Sequence, residues 1–206
     1  MKTADLVEKL SKELNAWQVW EGLGQKLEQE RRKREEFYNL IHENVKAEFI
    51  NGEIVMHSPV RNRHWTASMK ISSELHRYVK DNALGVVSAE KVMIRLTRND
   101  YEPDIVFFST EKIQSFTPDQ LLFPAPDLVG EILSESTERT DRTIKFSDYE
   151  AHGVSEYWIV DPEQRSIEQY LLENGEYNLH VKLAGEGLLH ARSVAGFTIR
   201  TEDIFG

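Results

Sequence analysis

Asp104 and Glu131 stand 27 residues apart, in segments that otherwise read as buried strands: Glu102-Pro103-Asp104-Ile105-Val106-Phe107-Phe108 and Pro126-Asp127-Leu128-Val129-Gly130-Glu131-Ile132-Leu133. β-Branched and aromatic runs of this length suit core strands. Burying an unpaired, ionised carboxylate in such a strand is costly even after relaxation. A chain that does so on two neighbouring strands offsets the cost most simply with a metal ion. If the segments pair antiparallel, the start of the first lies beside the far end of the second, and Asp104 meets Glu131 at one sheet edge. Asp127 is a poor partner for the pair, because it sits about 13 Å from Glu131 along the same strand.

A lysine completes the set. Lys145 lies in Thr140-Asp141-Arg142-Thr143-Ile144-Lys145-Phe146-Ser147-Asp148-Tyr149-Glu150-Ala151-His152-Gly153. Polar starters, apolar residues at roughly helical spacing and a terminal glycine predict a helix here. Folded back over the sheet, it could bring Lys145 to the two carboxylates. Asp, Glu and Lys at one sheet edge suit metal-dependent phosphodiester hydrolysis. Carboxylates take Mg²⁺ or Mn²⁺, and the metal acidifies a bound water. The lysine orients or deprotonates that water, or stabilises the negative oxygen.

The order Pro-Asp, then Glu on the next strand, then Lys resembles the PD-(D/E)XK nuclease pattern. It departs from it at Leu133, where the motif lysine would stand, so Lys145 supplies the amine from the helix. The migrated arrangement resembles the Uma-two family of restriction endonucleases. The blocks that carry the resemblance are Ala47-Glu48-Phe49-Ile50-Asn51-Gly52-Glu53-Ile54-Val55, Glu102-Pro103-Asp104, and the run from Ala125 through Glu131 to Thr137. Gly153-Val154-Ser155-Glu156-Tyr157-Trp158-Ile159-Val160-Asp161-Pro162 and Ala195-Gly196-Phe197-Thr198-Ile199 follow. The resemblance runs from about residue 35 to the C-terminus. It implies an α/β, restriction-endonuclease-like core acting on DNA, with residues 1–34 as an N-terminal helical extension outside it.

The whole chain has 206 residues, no cysteine and a 40% hydrophobic share. That is enough for a sizeable core, and it excludes disulfides, thiolate zinc sites and cysteine nucleophiles. No signal-peptide pattern and no membrane-length apolar run is present, so a cytoplasmic, soluble protein is expected. The net charge of −10 argues against non-specific binding of nucleic acid. Residues 61–98, however, carry eight basic against three acidic side chains, so a polyanion would approach there. The alternative is an ordinary solvated helix face.

Residues 4–36 read as one long helix, with Leu6, Leu10, Trp17, Trp20 and Leu27 on a stripe and a possible break at Gly22 or Gly24. The stripe packs on its own domain, forms a dimerising arm or, least favoured because it lacks a basic polar face, attaches to a membrane surface. Asn51-Gly52 predicts a hairpin within 46–56. A helix follows over 63–82, with Trp65, Met69, Leu75 and Val79, or their neighbours, as its apolar face. His64, at the start of that helix, either caps it or touches substrate. Further strands are expected near 86–87, 92–96, 157–160, 167–172 and 177–183, giving a mixed, largely antiparallel central sheet flanked by helices. Ser134, Ser136 and Thr137 read as caps or site lining. No histidine pair has the spacing of a helical zinc site, and no glycine run forms a phosphate loop.

The leading expectation is a Mg²⁺- or Mn²⁺-dependent endodeoxyribonuclease, acting as a homodimer. Asp104, Glu131 and the backbone carbonyl of Ile132 are its metal ligands, and Lys145 positions the water. The alternative is a non-catalytic binding or assembly module on the same fold, in which Asp104 caps a turn and Glu131 and Lys145 form a structural ion pair.

Overall fold

Consecutive strand-forming runs and two tight turns organise the chain into two sheets and a short ribbon. The structure is a computed structural model that describes residues 3–41 and 45–206, so Met1 and Lys2 of the N-terminal extension lie outside the described residues. The chain runs α1 (Thr3–Ser11), α2 (Ala16–Leu40), β1 (Ala47–Ile50), β2 (Glu53–Met56), α3 (Asn62–Asp81), β3 (Gly85–Ala89), β4 (Met93–Arg95), β5 (Asp100–Tyr101) and β6 (Ile105–Ser109). It continues through α4 (Thr110–Ile113), β7 (Leu122–Phe123), β8 (Leu128–Ile132), α5 (Glu138–Thr140), a π-helical turn at Asp141–Lys145, and α6 (Phe146–Ala151). It closes with β9 (Glu156–Asp161), β10 (Ser166–Glu173), β11 (Glu176–Ala184), β12 (Leu188–His190), β13 (Thr198–Arg200) and α7 (Thr201–Phe205).

The strands divide between a six-stranded sheet of order β11-β10-β9-β8-β6-β3, a five-stranded sheet of order β2-β1-β5-β4-β7, and the β12-β13 ribbon. Both larger sheets are mixed: β8–β9 and β4–β7 are parallel, and the other pairs are antiparallel. Alternation along β6 and β8 builds two separate cores. Ile105, Phe107, Leu128 and Ile132 face α3, the ribbon and α7. Val106, Phe108, Val129 and Leu133 face the opposite way, into a layer shared with Ile50, Ile94 and Tyr101 of the five-stranded sheet and Tyr149 of α6. Even-numbered Asp104 and odd-numbered Glu131 therefore both point into the second layer, between the sheets. The predicted hairpin forms as expected, with Asn51-Gly52 at positive φ, and Asn174-Gly175 makes a turn with the same signs between β10 and β11.

Two expectations need correcting. The first is the N-terminal helix. It breaks between α1 and α2, around residues 12–15, while Gly22 and Gly24 sit inside the unbroken α2. A glycine costs a helix only about 1 kcal/mol, which the flanking residues sustain. The second is the core face of α3. Trp65 and Met69 are exposed, and the buried stripe is His64, Ala67, Ser68, Ile71, Ser72, Leu75 and Val79. Small residues on that stripe let the helix lie close against β3 and β8, while Trp65 falls on the wet side.

Helix α2 runs unbroken through position 34 and is fastened to the domain by its C-terminal half. Phe37 packs on Phe49 of β1. Arg34 forks onto Asp100 at 2.6 and 2.8 Å and also donates to the carbonyls of Leu96, Thr97 and Asn99. Arg98 pairs bidentately with Glu30 at 2.8 Å. Asp100 is fully buried, so removing its guanidinium strands a charge. Arg34→Ala should lower stability by about 3–5 kcal/mol in urea denaturation. A loss below about 1 kcal/mol would show that the clamp is only a surface ornament.

Candidate active site

The β6–β8 register pairs Ile105 with Gly130, so the next step along each strand sets Asp104 beside Glu131. Lys145 reaches the same place from the π-helical turn. Its ammonium lies 2.9 Å from Glu48 Oε1, 3.1 Å from Glu131 Oε1 and 3.3 Å from Asp141 Oδ1. The extra residue that a π-turn inserts is a recurring feature of functional sites, and here it puts Asp141 and Lys145, both buried, on one inward side. Glu48 comes from β1, where Ala47 and Phe49 face α2 and Glu48 and Ile50 face the interlayer. Glu48 Oε1 also accepts the Glu102 amide at 2.9 Å. Tyr149 donates to Glu131 Oε1 at 2.9 Å, and Tyr157 donates to the Asp141 carbonyl at 3.0 Å.

Asp104 is held from another side. Its Oδ2 accepts the Ile132 amide at 2.8 Å and has His64 Nε2 at 3.2 Å. Its Oδ1 has the half-buried Lys46 ammonium at 3.8 Å. Sequence reasoning found Asp104, Glu131 and Lys145, which the structure brings together, and left His64 open between cap and site. It missed Glu48, Asp141 and Tyr149. Asp141 could have been found four residues before Lys145, but it read as a polar helix starter. Asp127 lies outside the cluster, accepting the Ser109 amide at 2.7 Å and pairing with Lys112 at 3.0 Å. Ser134 and Thr137 form a local turn that opens α5, with Ser134 accepting the Thr137 and Glu138 amides through its carbonyl.

Three buried carboxylates surround the buried Lys145 ammonium, a fourth, Asp104, lies beside them, and their charges compete. Burial works against ionised Glu48, yet Lys145 and His57 outweigh it and hold its carboxyl below the usual glutamate range. Burial likewise opposes Asp104, but His64, the Ile132 amide and Lys46 hold it down. Glu131 goes the other way: burial, with Asp141, Asp104 and Glu48 adding to it, pushes its carboxyl well up despite Lys145. Burial also raises Asp141. Burial would discharge Lys145, but Glu131, Glu48 and Asp141 raise its amine well above the usual value. The three carboxylates around it thus favour the charged form of Lys145.

The donors suit a hard divalent cation. Asp104 and Glu131 offer carboxylate oxygens, and the chain has no thiolate to attract a softer metal. Among the described residues no three His, Asp or Glu side chains form a ready metal cage.

A family model described as "Putative restriction endonuclease", Uma2, matches residues 34–202. The chain belongs to the Uma2 family. In fold it is similar to a crystal structure described as a "putative nuclease belonging to DUF820" from Anabaena variabilis, with a TM-score of 0.71 at 20% identity, covering 83% of this chain and 96% of that one. Among curated proteins none matches the sequence. The Uma2 match begins at Arg34, the residue that fastens α2 to the domain. No helix among the described residues is long and apolar enough to cross a membrane.

The raised Glu131 carboxyl gives a pH prediction for metal-free protein. A group whose folded pKa lies above its unfolded value contributes stability that is full below the unfolded value, near 4.5 here, and lost as pH rises through the folded one. Wild type should therefore lose more melting temperature than Glu131→Gln as pH rises from the unfolded value of 4.5 in chelator. Parallel curves for the two proteins would show that the fold does not raise the Glu131 carboxyl.

Proposed function

We propose that this protein is a Mg²⁺- or Mn²⁺-dependent endodeoxyribonuclease of the cytoplasm. The observation that carries the reading is the pairing of Asp104 with Glu131 across adjacent strands, with Lys145 3.1 Å from Glu131. Asp104, Glu131 and the Ile132 carbonyl are the metal ligands. When bound, the metal lowers the pKa of a coordinated water and neutralises charge developing on the phosphate. Lys145 orients the attacking water and stabilises the negative oxygen. The water's oxygen bonds to phosphorus as the bond to the leaving sugar oxygen breaks. Tyr149 holds Glu131, and the buried tyrosine floor keeps bulk water away from the carboxylates.

DNA has a route of approach at the start of α3. Arg61 and Arg63 precede His64 in sequence and pair with Glu135 at 3.3 Å and Glu163 at 2.9 Å. These are exposed pairs, worth about 1 kcal/mol or less, so a phosphate can take the glutamates' place. The rest of the 61–98 segment is less basic in effect than its sequence: Arg77 is paired with Glu74, and Arg98 with Glu30.

A second reading rests on the same lysine. Three carboxylates around one ammonium make a closed ionic network, which a non-catalytic module on this fold would also contain. Supercoiled DNA with Mn²⁺ separates the two. Wild type should nick it, and Asp104→Ala, Glu131→Ala and Lys145→Ala should each lose about 100-fold or more. Equal cleavage by all four would mark a contaminant and end the nuclease reading. Lost cleavage in Lys145→Ala with Mn²⁺ affinity intact would keep that lysine in catalysis.

Cutting both strands of a duplex with one site per chain calls for two chains or two encounters. The free half of α2 supplies a surface for the first. Trp17 is 75% and Trp20 66% exposed, and Leu23 and Leu27 continue the stripe, so it does not pack on its own domain. We assign it to a homodimer, the commonest closed assembly. Light scattering should show a dimer for the full chain and a monomer for a chain beginning near residue 29. A full-length monomer would refute the dimer.

A further inference from the structure

His64 is a polar residue on the buried stripe of a helix whose other inward positions are Ala67, Ser68, Ile71, Ser72, Leu75 and Val79. It is 6% exposed, and its Nδ1 is buried with no hydrogen-bond partner. An imidazole in that position leaves one nitrogen unpaired, at a cost that a leucine or alanine would avoid. The side chain must return something elsewhere, and among the described residues its only charged neighbour within ion-pair distance is Asp104, whose Oδ2 lies 3.2 Å from Nε2. The tautomer with its proton on Nε2 satisfies both facts, since it turns a donor toward Asp104 and leaves Nδ1 bare.

Resting on the nuclease reading above, we infer that His64 is a positioning residue, which with the Ile132 amide pins Asp104 Oδ2 so that Oδ1 is presented to the metal. The two donors approach one oxygen from different elements, β8 and α3. A carboxylate held by a single amide can still swing about its last bond. Held at one oxygen from two directions, it has one orientation, and only its other oxygen remains to bind. Lys46, 3.8 Å from Oδ1, is half-buried and flexible enough to yield that place to a divalent cation. The arrangement resembles in principle the outer-shell hydrogen bonds that orient metal-binding carboxylates, whose loss commonly weakens metal affinity about 10- to 100-fold.

The test compares His64→Gln, which keeps a side-chain amide donor, with His64→Leu, which fills similar volume without one. Mn²⁺ titration calorimetry on the full chain is the main readout, with melting in chelator confirming that each variant folds. His64→Leu should bind Mn²⁺ about 10- to 100-fold more weakly, and His64→Gln should recover most of that loss. Cleavage by His64→Leu should need correspondingly more Mn²⁺ while approaching the wild-type rate at saturation, a split that a merely destabilised protein would not give. Wild-type affinity in His64→Leu, beside lost affinity in Asp104→Ala, would overturn the positioning role and leave the proposed function standing. Absence of Mn²⁺ binding in the wild type itself would overturn both. If His64→Leu does not fold, His64→Gln decides alone: affinity within a few-fold of wild type supports the inference, and a loss as large as that of Asp104→Ala overturns it.

Discussion

The ammonium of Lys145 sits where Glu48, Glu131 and Asp141 converge, with Asp104 next to them, in a layer closed by two sheets. Coulomb repulsion between buried carboxylates is large, and one ammonium cannot balance the three around it. The protein resolves this by dividing the acids. Glu48 and Asp104 are held ionised by direct contacts, while Glu131 and Asp141 are pushed toward their neutral forms. The fold carries this frustration in its centre, where an apolar cluster would be more stable. Sites with a function commonly break the local rules of packing in this way.

The rest of the structure follows from having to hold the cluster still. Its members come from β1 of one sheet, the approach to β6 and strand β8 of the other, and a π-turn over the edge. The two sheets must therefore keep a fixed separation. Ile50, Ile94, Tyr101, Tyr149 and Tyr157 fill the space between them. A polar chain then links the cluster's surroundings to α2. Asn99 donates to Tyr101 and to Asp148 of α6, the helix that follows Lys145, while Arg34 of α2 binds the Asn99 carbonyl and Asp100. The C-terminal half of α2 thus braces the loop beneath the site, and its N-terminal half is left to reach outward.

Much of this could be read from the sequence, for reasons specific to each residue. Asp104 and Glu131 were legible because each interrupts an otherwise apolar strand, and the antiparallel register followed from their neighbours. Lys145 was legible as the next lysine on a helix that could fold back. Glu48 was not, because a four-residue strand beside an Asn-Gly turn normally alternates between buried and exposed, whereas every residue of β1 is buried. That depends on α2 covering its second face, a tertiary fact. Asp141 read as one of several polar helix starters, and no local pattern announces a π-turn. The face of α3 was assigned to its largest apolar residues, but close packing against a sheet selected the small ones instead.

The account stands on one claim, that Asp104 and Glu131 hold a divalent cation together. Anomalous diffraction from a crystal soaked in Mn²⁺ tests it most directly. The account predicts a single strong peak between the two side chains, with an oxygen of each at about 2.0–2.4 Å and waters completing the shell. A crystal that takes up Mn²⁺ only on surface carboxylates, with the Asp104–Glu131 gap still bridged by protein contacts alone, would contradict it.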